Sequence, residues 1–257
     1  MLKLSDTNLT LVKGDKTVNP HRLTLHFAAL CLAFFSTTNI SAQKQKAPPG
    51  GRIAVVVDER LSALRATPDL TGKLVRRVGR GRLVAIRAAK KGRDGLVFYL
   101  VNVSSRTHGW IQREAVVSSS QPGDDRRLLE LIKNSAEFDR IVRARIFLDH
   151  FPRSPLRPEV LLMLGDTAEQ VSEKLSRDAS RHIDESIAVP EFSYFLNYTG
   201  LDRYNRQRVG FVFDPKTRRL HYDGSAWREL ILRFPKSTWA SEAQKRLASL
   251  STLALID

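Results

Sequence analysis

From Ile53 onward the apolar positions keep two different periods, and the change between them divides the chain. "IAVVVD" (Ile53–Asp58), "LVAIRA" (Leu83–Ala88) and "LVFYLVNV" (Leu96–Val103) are short runs of Val, Ile, Leu and aromatics. Turn formers separate them: Pro68-Asp69, Gly79 and Gly81, Gly92 and Gly95, then Gly109. Such runs bounded by turn residues predict strands. Several short strands in so little chain predict a small barrel, which closes the edges that a β domain must protect from aggregation. After "SSSQPG" (Ser118–Gly123), a linker by composition, the period becomes helical. Asn134 with Glu137 three residues on reads as a capping box. Phe138, Ile141, Val142 and Ile146 then make one apolar stripe at helical spacing. Phe151-Pro152 ends it, because proline disfavours helical geometry in the residue before it. Ser154 is placed to cap the next helix, where Pro155 or Pro158 is tolerated only in the first turn. Leu161, Leu164, Ala168, Val171 and Leu175 continue the stripe.

The same grammar returns 83 positions later. "HFPRSPLRPEV", from His150, and "RFPKSTWASEA", from Arg233, match at Phe151/Phe234, Pro152/Pro235, Ser154/Ser237 and Glu159/Glu242, with Arg153/Lys236 alike in charge. Around the second copy Trp227, Leu230, Ile231 and Phe234 form a stripe, Pro235 stops it, Ser237 caps, and Ala240, Ala243 and Leu247 resume. The phrase is a joint: helix end, Phe-Pro, cap, new helix. Two such joints predict two similar helix pairs that stack to bury faces neither can bury alone.

Between the joints, Val189–Gly224 breaks the helical period and holds four of the five tyrosines, at 194, 198, 204 and 222. "VGFVFD" (Val209–Asp214) and "RLHY" (Arg219–Tyr222) predict a β-hairpin joined through Pro215, after which Asp223 or Ser225 caps the helix carrying Trp227. Two uses of this insertion stand open. Tyr198, Arg203, Tyr204 and Tyr222 suit a ligand-binding surface, since Tyr and Arg favour interface hot spots. The same rings suit anchoring of the hairpin onto the helices.

Charge changes the picture further. The formal net charge is +15. Between Arg52 and Val117 fourteen Lys and Arg stand against five Asp and Glu, whereas from Ser118 to Asp257 the counts are 22 and 20. The positive field thus belongs mainly to the strand-rich region and suits polyanions, acidic membranes or acidic proteins. Upstream, Arg22 precedes the apolar run Leu23–Phe35, and small residues ending at Ser41-Ala42 follow it, the order of a secretory signal. Thirteen residues are too few for a membrane span, which needs about 20, so no stable transmembrane span is expected after cleavage. Cys31, the one cysteine, lies inside that run after Leu30, where a lipoprotein signal would not put it; cleavage after Ala42 leaves a chain without thiols. The expected address is the periplasm or the medium.

The strand-rich region resembles the bacterial SH3-like (SH3b) domain. The residues that carry the likeness are Leu64-Arg65 followed by Pro68, the basic-Gly turn Arg80-Gly81-Arg82 before Leu83-Val84, the aromatic strand Phe98-Tyr99-Leu100-Val101, and Gly109-Trp110-Ile111. Ala63, Thr67 and Phe98 depart from the residues common there. The resemblance implies recognition of peptidoglycan or of envelope proteins, with Tyr99, Trp110 and the arginines Arg76, Arg77, Arg80 and Arg82 as candidate contacts; for Trp110 a core position is the favoured reading. The Phe-Pro-x-Ser joints, with Gly165 and Ala168 as small residues, resemble tetratricopeptide-type repeats of bacterial envelope proteins, which implies a protein-binding surface. A plain helical bundle is the alternative. The expected chain is multidomain: signal peptide 1–42, linker 43–51, small all-β SH3-like barrel 52–117, linker 118–123, and an α-helical, tetratricopeptide-like domain 124–257 with a β-hairpin insertion at 189–224.

No phosphate-loop, His-Glu-x-x-His or Gly-x-Ser-x-Gly pattern occurs. His108, His150, His182 and His221 stand singly; Asp149-His150 and His221 with Asp223 are the close acid–histidine pairs. The reading is therefore a non-enzymatic envelope protein with no cofactor, no metal and no nucleic-acid partner. The alternative is a cell-wall hydrolase using Asp202, Asp223 or Glu191.

Overall fold

A computed structural model describes residues 47–183, 195 and 197–255. The signal-like run Leu23–Phe35 with Cys31, and Glu191, Phe192 and Tyr194 of the insertion, lie outside the described residues. The strand-rich region forms β1 (Arg52–Val56), β2 (Ala63–Arg65), β3 (Leu74–Arg77), β4 (Leu83–Lys91), β5 (Val97–Asn102), β6 (His108–Gln112) and, after a 3₁₀ turn, β7 (Val116–Val117). Their order across the sheet is β3-β2-β6-β5-β4-β1-β7, and every pairing is antiparallel.

That order has two ends, so among the described strands the sheet does not close, which corrects the closed barrel expected from strand spacing. The reason lies at β7. The strand is two residues long, and Ser118 directly after it donates its N–H to Asp124 Oδ2 at 2.8 Å and its hydroxyl to the Ile53 carbonyl at 2.6 Å. Those bonds turn the chain into a helix instead of onward along the sheet.

The unbroken apolar run of β1 has a physical cause. Ala54 and Val56 pack in the sheet core with Leu64, Val84, Val101 and Ile111, whereas Val55 and Val57 pack in the core of the helices. Successive strand residues face opposite ways, so a strand buried on both faces needs apolar residues throughout. Val116 and Val117 divide in the same manner. Phe98 and Tyr99, successive residues on β5, are both buried. At β4 the register shifts between Ile86 and Ala88. There Gly51, at φ +97°, approaches so closely that a Cβ would lie 2.3 Å from the Ile86 oxygen; glycine alone meets both demands.

The helices are α1 (Asp124–Lys133), α2 (Glu137–His150), α3 (Arg157–Ile183), the short α4 (Asp202–Asn205), α5 (Ser225–Arg233) and α6 (Thr238–Leu255). The capping box expected at Asn134 is replaced by a helix end: Asn134 donates both its N–H and its Nδ2 to the Glu130 carbonyl, closing α1. Burial of Leu128, Leu129 and Ile132 stabilises α1, and α2 starts at Glu137 without a side-chain cap. On α3 the stripe Leu161, Leu164, Ala168, Val171 and Leu175 is buried throughout.

The two joints share one set of hydrogen bonds. Phe151 N donates to Phe147 O and Phe234 N to Leu230 O, each at 2.9 Å. Ser154 N donates to Phe151 O and Ser237 N to Phe234 O; Arg157 N donates to Ser154 O and Ala240 N to Ser237 O. Each serine hydroxyl accepts from the amide two residues on, Leu156 and Trp239. Equivalent residues thus adopt equivalent backbone geometry 83 positions apart. The pairs α2–α3 and α5–α6 stack, α3 packing against α5 and α6. At the closest approach Gly165 meets Trp227, where a Cβ would lie 2.3 Å from the indole Nε1.

The expected hairpin is present as β8 (Phe211–Asp214) and β9 (Arg219–Tyr222), with Phe211 opposite Tyr222 and Asp214 opposite Arg219. Its outer edge is covered by α3: Leu220 N donates to Ser176 Oγ and Tyr222 N to Glu169 Oε2, both at 2.8 Å. An exposed strand edge invites pairing with other chains, and here helix side chains occupy it. Among the described residues no helix is long and apolar enough to cross a membrane.

Candidate functional site

The candidate residues separate by exposure. Arg76 and Arg77, on the edge strand β3, and Arg82, before β4, are exposed. Among the described residues none of the three forms an ion pair with a carboxylate. Arg87, Lys90 and Lys91 on β4 are exposed as well. Leu74 and Val75 beside the β3 arginines are also exposed, so that edge carries both apolar area and positive charge.

Arg80 is different. Its guanidinium donates to Asp139 Oδ1 at 2.8 Å, its side chain is 14% exposed, and its N–H donates to Glu59 Oε1 at 2.9 Å. It ties the sheet to α2, which removes it from the group of outward-facing arginines. Around it, Arg60 bonds Asp58 at 2.8 Å, and buried Arg143 reaches the Val57 carbonyl at 3.3 Å and Ser135 Oγ at 2.5 Å. The bond from Arg80 holds the Asp139 carboxyl below its usual range, and the bond from Arg60 does the same for Asp58. Burial, with Arg80 nearby, makes the Arg143 guanidinium easier to deprotonate than a solvated one. Aromatic candidates in the sheet are no more available: Tyr99 is 8% exposed, with the Arg52 guanidinium 6.0 Å from its ring centroid. Trp110 is half-buried, opposite Arg65 on β2 and Leu100 on β5.

In the insertion the structure places Tyr204 and Tyr222 in the core. Tyr204 meets Phe138 and Phe211 edge-on, with centroids 5.2 Å and 5.7 Å away. Its hydroxyl accepts from Arg203 at 2.8 Å, while the Arg203 guanidinium lies 5.0 Å from the centroid of Phe138. The Tyr222 hydroxyl accepts from Ala226 N at 2.6 Å, satisfying one of the free amides at the start of α5, and its ring meets Trp227 edge-on at 5.3 Å. Burial raises the pKa of both hydroxyls. These two rings are packed in the core. Tyr198 is half-buried against the helical core.

Of the acidic candidates, Asp202 is exposed at the start of α4, and Asp223 accepts from Ser225 N at 2.8 Å as part of the helix start. The close pairs read from sequence are rearranged: Asp149 bonds Arg208 at 2.6 Å, and His221 pairs through Nδ1 with Glu169 Oε1 at 3.2 Å. Glu169 holds the imidazole pKa above its ordinary value against the opposing effect of burial. This pair had no local signal, because 52 residues separate its members; only docking of the hairpin on α3 brings them together. Among the described residues no group of three metal-ligating side chains converges.

An antiparallel sheet with exposed basic residues, followed by stacked helix pairs, is thus the class of molecule that the fold defines. Comparison with protein-family models finds no match, and neither a curated protein nor a solved structure matches the chain.

Proposed function

We propose that this is a non-enzymatic exported protein of a bacterial envelope, in which an SH3-like sheet region binds peptidoglycan or another anionic envelope component. The observation that carries the reading is the exposure of Arg76, Arg77 and Arg82, each left without a carboxylate partner among the described residues, in the region holding most of the excess positive charge. Wall peptides carry carboxylates, which guanidinium groups hold bidentately. The helix pairs act as a tetratricopeptide-like scaffold for an envelope protein partner, a reading supported by the identical hydrogen bonds of the two Phe-Pro-x-Ser joints.

Sedimentation with purified peptidoglycan tests the first part. The protein co-sediments at low salt and is released as the Debye length falls from about 10 Å at 0.1 M to about 3 Å at 1 M. Arg76→Glu with Arg77→Glu weakens sedimentation while leaving the melting temperature close to that of the parent. Salt-independent sedimentation, or none, would reject the charge-based reading, and turnover of the wall by the pure protein would replace it with the hydrolase.

A further inference from the structure

The two ends of the sheet are finished differently. At β7 the edge is met by α1, whose Arg127 donates to the Val116 carbonyl. The hairpin strand β9 is likewise met by Ser176 and Glu169 of α3. At the other end of the sheet lies β3, which pairs with β2 alone. Bonds toward β2 bracket it: Ala66 N donates to Lys73 O at 2.9 Å, and Val78 N to Ser62 O at 3.2 Å. Backbone groups of successive residues in an antiparallel strand point to alternate sides. With Val78 bonded toward β2, the N–H and C=O of Arg77 therefore face outward. Among the described residues no strand or helix bonds to that side. The Arg77 carbonyl meets Arg76 Nε at 3.5 Å, the outer limit of a hydrogen bond.

This edge is both apolar and basic. All four residues of β3 are exposed. Leu74 and Val75 are each 48% exposed, and Leu70, in the preceding turn, is 43% exposed. Lys73, Arg76 and Arg77 are exposed cations without a carboxylate partner among the described residues. The register shift opposite Leu64 and Arg65 adds one residue to β3. Shortness, a bulge and positive charge are means by which proteins keep an edge from pairing with its like. A second copy of this chain would set arginine and lysine against arginine, and like charges directly opposite destabilise a strand pair. An acidic strand meets the reverse: its carboxylates face the cations, and its apolar side chains cover Leu74 and Val75. A polyanion without a peptide backbone answers the charge but not the outward N–H and C=O of Arg77.

We infer that the outer edge of β3 takes up an extended acidic segment of a partner protein as an added strand. In such pairing main-chain bonds hold the segment and alternate side chains select it. The inference rests on the reading of the sheet as an anion-binding region and names a polypeptide as the partner.

Fluorescence anisotropy with the purified full chain tests it at about 0.1 M salt, where the Debye length is about 10 Å. The probe is a labelled, end-blocked peptide of alternating glutamate and valine. It binds saturably. The same peptide N-methylated along its backbone, equal in charge but without donors, binds at least about tenfold more weakly. A version with lysine for glutamate does not bind. Arg76→Gln/Arg77→Gln weakens the glutamate peptide at least about threefold. Arg87→Gln on β4, with β2, β6 and β5 between it and β3, changes its binding by less than about twofold. Undiminished binding of the N-methylated peptide, binding of the lysine version, or dimerisation of the chain in place of peptide binding would each overturn strand addition. Sedimentation of the same samples with peptidoglycan separates the two readings. A chain that sediments with the wall but ignores the peptide overturns strand addition alone, whereas peptide binding without sedimentation supports strand addition and removes the wall as ligand.

Discussion

Exposed arginines of the sheet and buried or half-buried arginines of the helices put the same side chain to opposite uses. Arg76, Arg77 and Arg82 of the sheet face solvent, whereas arginines of the helices bind backbone carbonyls across the molecule. Arg127 donates to Glu114 O and Val116 O, Arg143 to Val57 O, Arg145 to Gln207 O and Arg208 O, and Arg157 to Leu148 O. A guanidinium suits this work because its five N–H groups form a rigid fork that stays charged even when half-buried. Arg157 goes further: it reaches Glu229 at 3.5 Å, joining the first helix pair to the second. A tally of charge along the sequence therefore measures two things at once, a surface available to anions and a set of internal ties. Arg80, expected on the surface and found bonded to Asp139, shows how one residue can be moved between these classes by a neighbour 59 positions away.

The comparison is most strongly tested at the tryptophans. Trp227, 1% exposed where α5 meets Gly165 of α3, should cost about 3–5 kcal/mol as Trp227→Ala. Half-buried Trp110 on β6 should cost about 1–2 kcal/mol under the same change. Urea unfolding of both variants measures the contrast, and equal losses would mean that the helical stack is no more tightly packed than the sheet.

Next come the arginine ties. Arg157→Ala leaves the buried Leu148 carbonyl without this donor and should destabilise by about 2–3 kcal/mol, with Arg157→Lys a poor substitute for the fork. A smaller separation is expected within the sheet's own arginines. Arg80→Glu breaks the pair with Asp139 and should cost about 1 kcal/mol, while Arg76→Glu stays within about 0.5 kcal/mol. Matching melting temperatures for those two variants would return Arg80 to the outward-facing group.

The smallest effect is a difference in pH response. Asp58 and Asp139, at the contact of sheet and helices, have folded pKa values depressed below 3.8 by Arg60 and Arg80. Their contribution is present above that value and is lost as pH falls through the folded pKa. His221, raised above 6.5 by Glu169, contributes fully below 6.5 and loses that contribution as pH rises through its folded pKa. Melting temperatures from about pH 3 to about pH 9 should therefore show Asp139→Asn flattening the acid limb and His221→Gln flattening the neutral-to-alkaline limb. Interchanged limbs would contradict both assignments.

Much of this was legible from local pattern. The stripe from Leu161 to Leu175, the hairpin at 211–222 and both Phe-Pro-x-Ser joints depend on residues a few positions apart, where helical or strand period, proline and serine capping act directly. The sequence by itself also determined the basic excess of Arg52–Val117. Helix α1 escaped because its stripe Leu128, Leu129 and Ile132 follows a stretch with the composition of a linker. Tertiary structure alone decided which rings and charges remain outside. Tyr204 and Tyr222 are open to reading as anchors or as contacts until the hairpin docks on α3 and buries them. Glu169 finds His221 by that same docking. The closed barrel predicted from the strand pattern was overturned for the same reason: closure depends on where β7 leads, and Asp124 binding Ser118 sends the chain into α1. Periodicity reports which face of an element is apolar; what that face and the polar residues around it meet is set by contacts between elements far apart in the chain.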